Sequence, residues 1–372
     1  MIFQIEERII NNSLYLGGVM RLEYIRRVTE EDTLGKHVYG EDGRILLKAG
    51  VRLNPIYIRR LMELGVYYVY VEDDRLDEVE AESERLTILK QATIKSLKNI
   101  SRNVGPVSNT GISDEYLFNI EELLDHIMEI GDVNKCLCDV KTHDNYTFLH
   151  SINTGIMSVF FGMNLGFKKW VLRELGIAGM LHDVGKLRVP SAIINKDGKL
   201  TDEEFEVMKK HPLYGSEILK RSMKIPTRAI EAVEQHHEKI NGKGYPFGLQ
   251  GDQISRFGKI VGICDVYDAV TSDRSYRRKF EPNQAYELIL SGSGTQFDEK
   301  LVQTFKNTFS VYTLGCCVKL SNGIEGYVIK QNKGFPDRPV IRVLYDYITR
   351  KPVSFYEIDL LERINLTIEC VI

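Results

Sequence analysis

The chain has 372 residues, of which 43% are hydrophobic and 27% are charged, and its formal net charge at pH 7 is −3. This composition is ordinary for a water-soluble globular protein, and the length predicts two or three domains. The nearly neutral charge excludes a general attraction to nucleic acid polymers or to membranes, so an anionic ligand would need a local basic patch. No apolar run approaches the roughly 20 residues that span a bilayer.

The N-terminus and the cysteines bear on the cellular compartment. Residues 1–7 lack the basic-then-apolar order of a signal peptide. The six cysteines follow neither a disulfide framework nor a zinc-finger spacing. We therefore expect a cytoplasmic protein with reduced thiols.

Residues 1–72 predict a small α+β module. Residues 38–47 contain two short β-prone runs around an Asp-Gly turn, which is typical of a hairpin. Asn54 and Pro55 open a predicted helix as N-cap and first residue. A strand is predicted at 66–71. This stretch has no pattern of metal ligands or nucleophiles, so a structural or dimerising role is favoured over a sensory pocket.

Residues 73–114 predict a helical linker. The stretch is rich in acidic residues and amphipathic to about Ile100, which is typical of a solvated connecting helix. A helix pair between two subunits is less favoured, because no heptad repeat runs long enough. A polar break at 101–114 marks a domain boundary.

The rest of the chain changes character at about residue 310. Apolar residues in 115–310 recur at spacings of three and four, which predicts an all-α bundle. Residues 311–372 contain short β-prone runs at 311–312, 317–320, 325–329 and 340–344, separated by turn signals such as Pro336-Asp337. This pattern predicts a small barrel-like β module. We therefore expect a multidomain protein with a helical bundle between a small α+β N-terminal module and a β-rich C-terminal module.

The stretch 172–186 organises the chemistry of the bundle. If it is one helix, Leu172, Leu175, Gly179, His182 and Lys186 share a face that is apolar first and then basic. The neighbouring carboxylate, in the sequence His-Asp, can bridge two metal ions roughly 3.5–4 Å apart. Most such pairs are ordinary polar residues, so further ligands are needed elsewhere.

Further ligand types do occur at the polar ends of apolar helical faces. They are His150, His211, His236, His237 and Asp265. A single histidine on such a face is usually a satisfied core residue. Five of the eight histidines in one block, with two aspartates placed similarly, instead predict a site for divalent iron, manganese or zinc. His126 and His143 are not expected to be ligands.

Two loops complete the pattern. Gly242 and Gly244 allow a tight turn, and Tyr245 can stack on a base or pack on a helix. A basic run at 271–279 follows Asp265 closely and is well placed to hold phosphate oxygens. Alone, the first loop would be an ordinary turn and the second a solvated face.

Three motifs together resemble the HD-GYP family: His182-Asp183, then His236-His237-Glu238, then Gly244-Tyr245-Pro246. This family is a subgroup of the HD metal phosphohydrolases and hydrolyses the bacterial second messenger cyclic di-GMP. The resemblance covers about residues 115–310. It implies an all-helical bundle with a centre of two or three metal ions.

The resemblance also implies roles for individual residues. One ion would be held by His150, His182, Asp183 and Asp265, and the other by Asp183, His211, His236 and His237. The phosphodiester would be bound by Lys186, Arg274 and Arg277, beside Gly244 and Tyr245. Tyr146 stands where some members have a glutamate for a third ion, so two ions are expected, iron or manganese. Ser275 replaces a proline that is usual in the family.

The implied reaction is attack on phosphorus by a metal-activated bridging hydroxide, with Asp183 as the bridging carboxylate and pGpG as first product. A further cut to GMP stays open. Lys186 is expected to hold phosphate rather than to protonate the leaving oxygen. The alternatives are a receptor that binds cyclic di-GMP without turnover, and an HD phosphohydrolase for another nucleotide. A homodimer and a signalling partner bound through either terminal module stay open.

Overall fold

A computed structural model describes residues 20–39, 45–64, 66, 68–76, 83–103, 111–133, 137, 146–196, 198–271, 281–346, 348–349 and 351–372. The helices are α1 Pro55–Glu63, α2 Glu84–Asn103, α3 Asp114–Ile130, α4 Tyr146–Asn164, α5 Lys169–Leu181, α6 Ser191–Ile194, α7 Asp202–Met208, α8 His211–Leu219, α9 Thr227–Gln235, α10 Arg256–Thr271, α11 Pro282–Ser291 and α12 Glu299–Thr308. The strands are β1 Met20–Tyr24, β2 Val38–Tyr39, β3 Ile45–Leu47, β4 Tyr68–Glu72, β5 Cys317–Leu320, β6 Glu325–Asn332, β7 Phe335–Tyr345, β8 Pro352–Asp359 and β9 Ile368–Val371.

One hydrophobic core holds the helices that carry the predicted ligands. Ile152 and Ile156 of α4, Leu175 of α5 and Val261 of α10 are all fully buried in it. Each such side chain contributes about 1.5–3 kcal/mol when it is removed from water. The prediction of a helical bundle is confirmed, and its best-packed helices are those that position the polar residues.

Helix α2 corrects the interpretation of residues 73–114 as a solvated linker. Leu86, Leu97 and Ile100 are buried in the same core as α3 and α4. Thr93 is also buried, and its hydroxyl donates to the Asn119 carbonyl across the contact with α3 (3.1 Å). The acidic residues that suggested a solvated helix come almost entirely before α2, whose apolar face extends the bundle.

The N-terminal region contains two small antiparallel sheets and one helix. Strands β2 and β3 pair as the predicted hairpin, whose turn at 40–44 lies outside the described residues. Asn54 caps α1 as predicted, because its side chain accepts from the Tyr57 backbone N–H (2.8 Å). Strand β1, which the sequence did not predict, pairs with β4.

The C-terminal region is a five-stranded antiparallel sheet in the order β8-β7-β6-β5-β9. The β-rich prediction is confirmed for β5, β6 and β7. Strands β8 and β9 were missed, and the turn predicted at Pro336-Asp337 lies inside β7. Within the described helices, none combines the length and the apolar character needed to cross a membrane.

The two ends of the chain pack against each other. Leu76 is buried among Cys317, Tyr327 and Leu344 of the C-terminal sheet. The Tyr327 hydroxyl donates to Glu23 Oε2 (2.7 Å), so a buried polar contact joins β6 to β1. The terminal modules are therefore in direct contact, although about 300 residues separate these partners in sequence.

Candidate metal centre

Helix ends deliver most of the predicted ligands to one point. His182 and Asp183 follow the last residue of α5, His211 begins α8, and His236 and His237 follow α9. His150 lies near the start of α4, and Asp265 lies in the middle of α10. These seven residues, called here the seven-residue cluster, are His150, His182, Asp183, His211, His236, His237 and Asp265.

The predicted helix over 172–186 is wrong in its last turn. Helix α5 ends at Leu181, and Val184–Arg188 forms a 3-10 helix. Gly185 lies in this segment, and a Cβ on it would lie 1.9 Å from the His211 carbonyl oxygen. This close approach brings the start of α8 beside Asp183. The Lys186 ammonium consequently contacts the Asp183 carboxylate (2.5 Å) instead of extending the face of His182.

A second close approach joins α10 to the end of α9. A Cβ on Gly262 would lie 2.5 Å from the His236 carbonyl oxygen. The glycine therefore lets the two helices meet without intervening side chains. It also brings Asp265, three residues after Gly262 on α10, close to His236.

Three imidazoles are oriented in the same way. The Nδ1 atoms of His182, His211 and His236 lie 2.7–2.8 Å from the backbone carbonyl oxygens of Gly179, Met208 and Val233, each three residues earlier. A helix end has carbonyls without intrahelical partners, and each Nδ1–H donates to one of them. The other ring nitrogen, Nε2, is thereby directed into the cluster, and in the neutral imidazole it carries the lone pair that binds a metal ion.

The nitrogen and oxygen atoms of the cluster converge closely. His211 Nε2 lies 3.3 Å from His236 Nε2 and 3.5 Å from Asp183 Oδ1. His182 Nε2 lies 3.3 Å from Asp183 Oδ2 and 3.5 Å from Asp265 Oδ1. Ligand atoms within 4.8 Å of one another form three groups: Asp183 with His211, His236 and His237; His150 with His182 and Asp183; and His182 with His236 and Asp265.

His150 differs from the other three oriented imidazoles, because a carboxylate holds it. Its Nδ1 lies 2.8 Å from Asp268 Oδ2, and its Nε2 lies 3.1 Å from Asp265 Oδ1. Asn153 donates to the second oxygen of Asp268 (3.0 Å) and fixes that carboxylate. The sequence interpretation missed Asp268. Its position three residues after Asp265 on one helix was the available signal.

Burial and charge set the protonation states. Burial lowers the pKa of His211 to about 3 and that of His237 to about 4, and the pKa of His236 also falls well below its usual range. Burial also opposes the charged form of His182, but the neighbouring carboxylates outweigh it and raise its pKa to about 10. The pKa of Asp183 is held well below its usual range, against burial, by the His182 and Lys186 charges.

The cluster fits divalent ions on the chemistry of its donors. Two buried atoms in it, His182 Nε2 and Asp183 Oδ1, form no hydrogen bond within the described part of the chain. Two lone pairs also face each other between His211 and His236. A buried polar atom without a partner is costly, and a cation would satisfy all of these atoms at once.

Glu238 positions the loop beside the cluster. Its two carboxylate oxygens accept from the backbone N–H groups of Phe247 (2.7 Å) and Leu249 (3.0 Å). The loop carries Tyr245, whose ring centroid lies 4.7 Å from that of His237. Of the two roles considered for Tyr245, the structure therefore shows packing on the end of a helix. Arg274 and Arg277 lie outside the described residues, as do the side chain of Tyr146 and Ser275.

Comparisons with known proteins agree with this description. Residues 149–301 match the HD domain family, and residues 317–372 match a KOW domain associated with HD domains. A solved structure of an HDG"Y"P protein from Bdellovibrio bacteriovorus has a similar fold. Its TM-score is 0.51 at 15% identity, covering 77% of this chain and 97% of that chain.

Two characterised relatives share more sequence. A cyclic di-GMP phosphodiesterase of Pseudomonas aeruginosa is 33% identical over 241 residues, which are 65% of this chain and 58% of that protein. A 3′3′-cGAMP-specific phosphodiesterase of Vibrio cholerae is 44% identical over 127 residues, or 34% of this chain and 24% of that protein. The chain thus spans less than two thirds of either relative. The match to the HD domain covers residues 149–301, and the resemblance of this part of the chain to the HD-GYP group is confirmed.

Proposed function

We propose that this protein is a metal-dependent phosphodiesterase that hydrolyses cyclic di-GMP to linear pGpG. The observation that carries the proposal is the seven-residue cluster, in which buried imidazole and carboxylate atoms converge without enough partners of their own. The name of the Pseudomonas relative supplies the substrate.

The proposed assignment gives each of two ions its own side of the cluster. One would be held by His150, His182, Asp183 and Asp265. The other would be held by Asp183 and the imidazoles of His211, His236 and His237, whose ligand atoms all lie within 4.8 Å of one another. Asp183 belongs to both sets and would be the bridging carboxylate. Iron and manganese suit this mixture of imidazole and carboxylate.

Bound divalent ions would supply Lewis acidity, lower the pKa of a water molecule and neutralise charge on the phosphodiester. The protein's part is orientation. Backbone carbonyls hold three imidazoles in the binding tautomer. Lys186 is partly exposed beside Asp183 and can contact a phosphate oxygen there. Gly244 and Tyr245 would border the substrate, and Arg274 and Arg277 are the proposed further phosphate contacts.

The test is turnover of cyclic di-GMP by purified protein loaded with Mn²⁺, or with Fe²⁺ under anaerobic conditions. Replacing both His182 and Asp183 by alanine should lower kcat by about 10³-fold or more, because ligands of both ions are lost. His126→Ala is the matched control, since this histidine of α3 lies outside the cluster and should leave kcat unchanged. Turnover that survives the double substitution would rule out the proposal.

Hydrolysis of another cyclic dinucleotide is the second candidate. The observation that favours it is the 44% identity to the cGAMP-specific relative. A panel of cyclic di-GMP, 3′3′-cGAMP and cyclic di-AMP, compared by kcat/KM, decides between the substrates. Binding of cyclic di-GMP by metal-loaded protein without turnover would instead indicate a receptor. The homodimer and the protein partner of the terminal modules remain predictions.

A further inference from the structure

A cavity opens beside the metal centre, between the Tyr245 loop, α10 and the turn that precedes α12. Its volume is about 210 Å³, and it opens to solvent. The residues that matter here are His237, Tyr245, Val266, Phe297, Lys259 and Asp298. The wall combines apolar and aromatic side chains with polar and charged ones. His237 belongs both to the seven-residue cluster and to this wall, so the cavity adjoins the cluster.

Two charged residues of the cavity wall, Lys259 and Asp298, form a loose ion pair. The Lys259 side chain is only 10% exposed, yet its Nζ lies 3.4 Å from Asp298 Oδ2 and 3.4 Å from Asp252 Oδ1. Both distances are long for a charge-assisted hydrogen bond. The ammonium therefore keeps donor capacity for a ligand, while burial makes any bond it forms stronger than the same bond at the surface.

Asp298 is fixed in place by the start of α12. Its Oδ1 accepts from the backbone N–H groups of Lys300 (3.0 Å) and Leu301 (3.2 Å), as an N-cap. In the described part of the chain, Oδ2 has Lys259 as its polar neighbour. The cavity thus presents one fixed acceptor oxygen next to one donor ammonium, with about 3.4 Å between them.

We propose that this cavity is a base subsite that selects guanine, and this inference rests on the proposed function. Guanine carries the O6 acceptor beside the N1–H and N2 amino donors on one edge. Lys259 would donate to O6, as lysine does when it reads guanine elsewhere. Asp298 would accept from the adjacent donors. Tyr245 and Phe297 would flank the flat ring. Every base can stack in this way, so these contacts do not distinguish one base from another.

Adenine fits this arrangement less well. At the position of O6 it has an amino donor, which would face the Lys259 ammonium. At N1 it has an acceptor, which would face the Asp298 carboxylate. One contact then places a donor against a donor, and the other places an acceptor against an acceptor. Both leave buried polar atoms without hydrogen-bond partners.

The experiment compares Lys259→Met with Asp252→Asn. Lys259→Met removes the donor at nearly unchanged length. It should raise the KM for cyclic di-GMP about tenfold and change kcat less than threefold. The ratio of kcat/KM for cyclic di-GMP to kcat/KM for cyclic di-AMP should therefore fall. Asp252→Asn removes the other partner of Lys259, which is fully exposed and does not line the cavity, and should leave KM unchanged.

Calorimetric binding of cyclic di-GMP to metal-depleted protein separates this inference from the proposed function. A Kd that rises about tenfold in Lys259→Met but not in Asp252→Asn supports the subsite even if the loaded protein shows no turnover. Equal Kd and equal base preference in both variants would overturn the subsite while leaving the phosphodiesterase proposal intact. If Lys259→Met does not fold, Asp298→Asn keeps the helix cap and tests the acceptor in the same assays.

Discussion

The helical domain and the terminal modules each bury a cluster of ionisable side chains, but the two clusters satisfy their charges differently. In the terminal modules the Arg21 guanidinium donates to Glu23 (3.1 Å), Asp32 (2.8 Å) and Asp73 (2.6 Å). All three of its nitrogens are engaged. In the seven-residue cluster, by contrast, the Nε2 atoms of His211 and His236 face each other at 3.3 Å.

The presence of unsatisfied polar atoms distinguishes a binding site from a structural ion cluster. A guanidinium surrounded by carboxylates is complete without any further group, and so it is expected to stabilise the contact between β1, β4 and their neighbours. Convergent imidazole and carboxylate atoms that lack partners are incomplete without a cation. Burial alone does not separate the two cases, because both clusters are buried.

Arg21→Met should have the largest effect on stability. It leaves Glu23 and Asp73 buried without their shared cation, so the free energy of unfolding should fall by about 3–5 kcal/mol. Urea denaturation measures this change. In the fraction that stays folded, kcat should match that of the wild type. Arg60→Met is the control, because Arg60 is 70% exposed in its pair with Glu63 and should cost less than about 1 kcal/mol. An equal fall in the free energy of unfolding in both variants would show that the buried Arg21 cluster stabilises the protein no more than an exposed ion pair does.

Asp268→Asn should have an intermediate effect, and it acts on the metal centre alone. The carboxylate orients His150 and increases its basicity, and loss of such a partner typically weakens metal binding about 10- to 100-fold. Isothermal titration of metal-depleted protein with Mn²⁺ measures the affinity. Asp125→Asn, which breaks an ion pair with Arg173 on α5, is the control and should leave the affinity unchanged. An unaltered affinity in Asp268→Asn would show that His150 needs no carboxylate.

The smallest effect is the pH dependence of the Arg21 cluster. Burial opposes ionisation of Asp73, but the hydrogen bonds from Arg75 and the charge of Arg21 outweigh it and lower its pKa below 3.8. The folded state therefore binds fewer protons than the unfolded state, and the stabilisation is present above pH 3.8 and lost as the pH falls through the folded pKa. Urea midpoints of the wild type and Asp73→Asn should differ at pH 6 and converge as the pH falls below 3.8. A constant gap would contradict this assignment.

Much of the helical domain could be predicted from the sequence, because its signals are local. The three- and four-residue spacing of apolar positions predicted the bundle, and the residue types at the ends of those faces predicted the seven-residue cluster. Asn54 and Pro55 marked the start of α1 for the same reason, since capping involves backbone groups only a few residues away.

The tertiary structure alone decided how distant segments meet. Gly185 approaches the backbone of α8 too closely for a side chain, and the burial of α2 depends on its contact with α3 and α4. The contact of Tyr327 with Glu23 joins residues that no local pattern relates. The sequence determined which atoms could bind a metal ion, because side-chain chemistry is local. Packing determined which of them meet and which lack partners, because that depends on contacts between residues far apart in the chain.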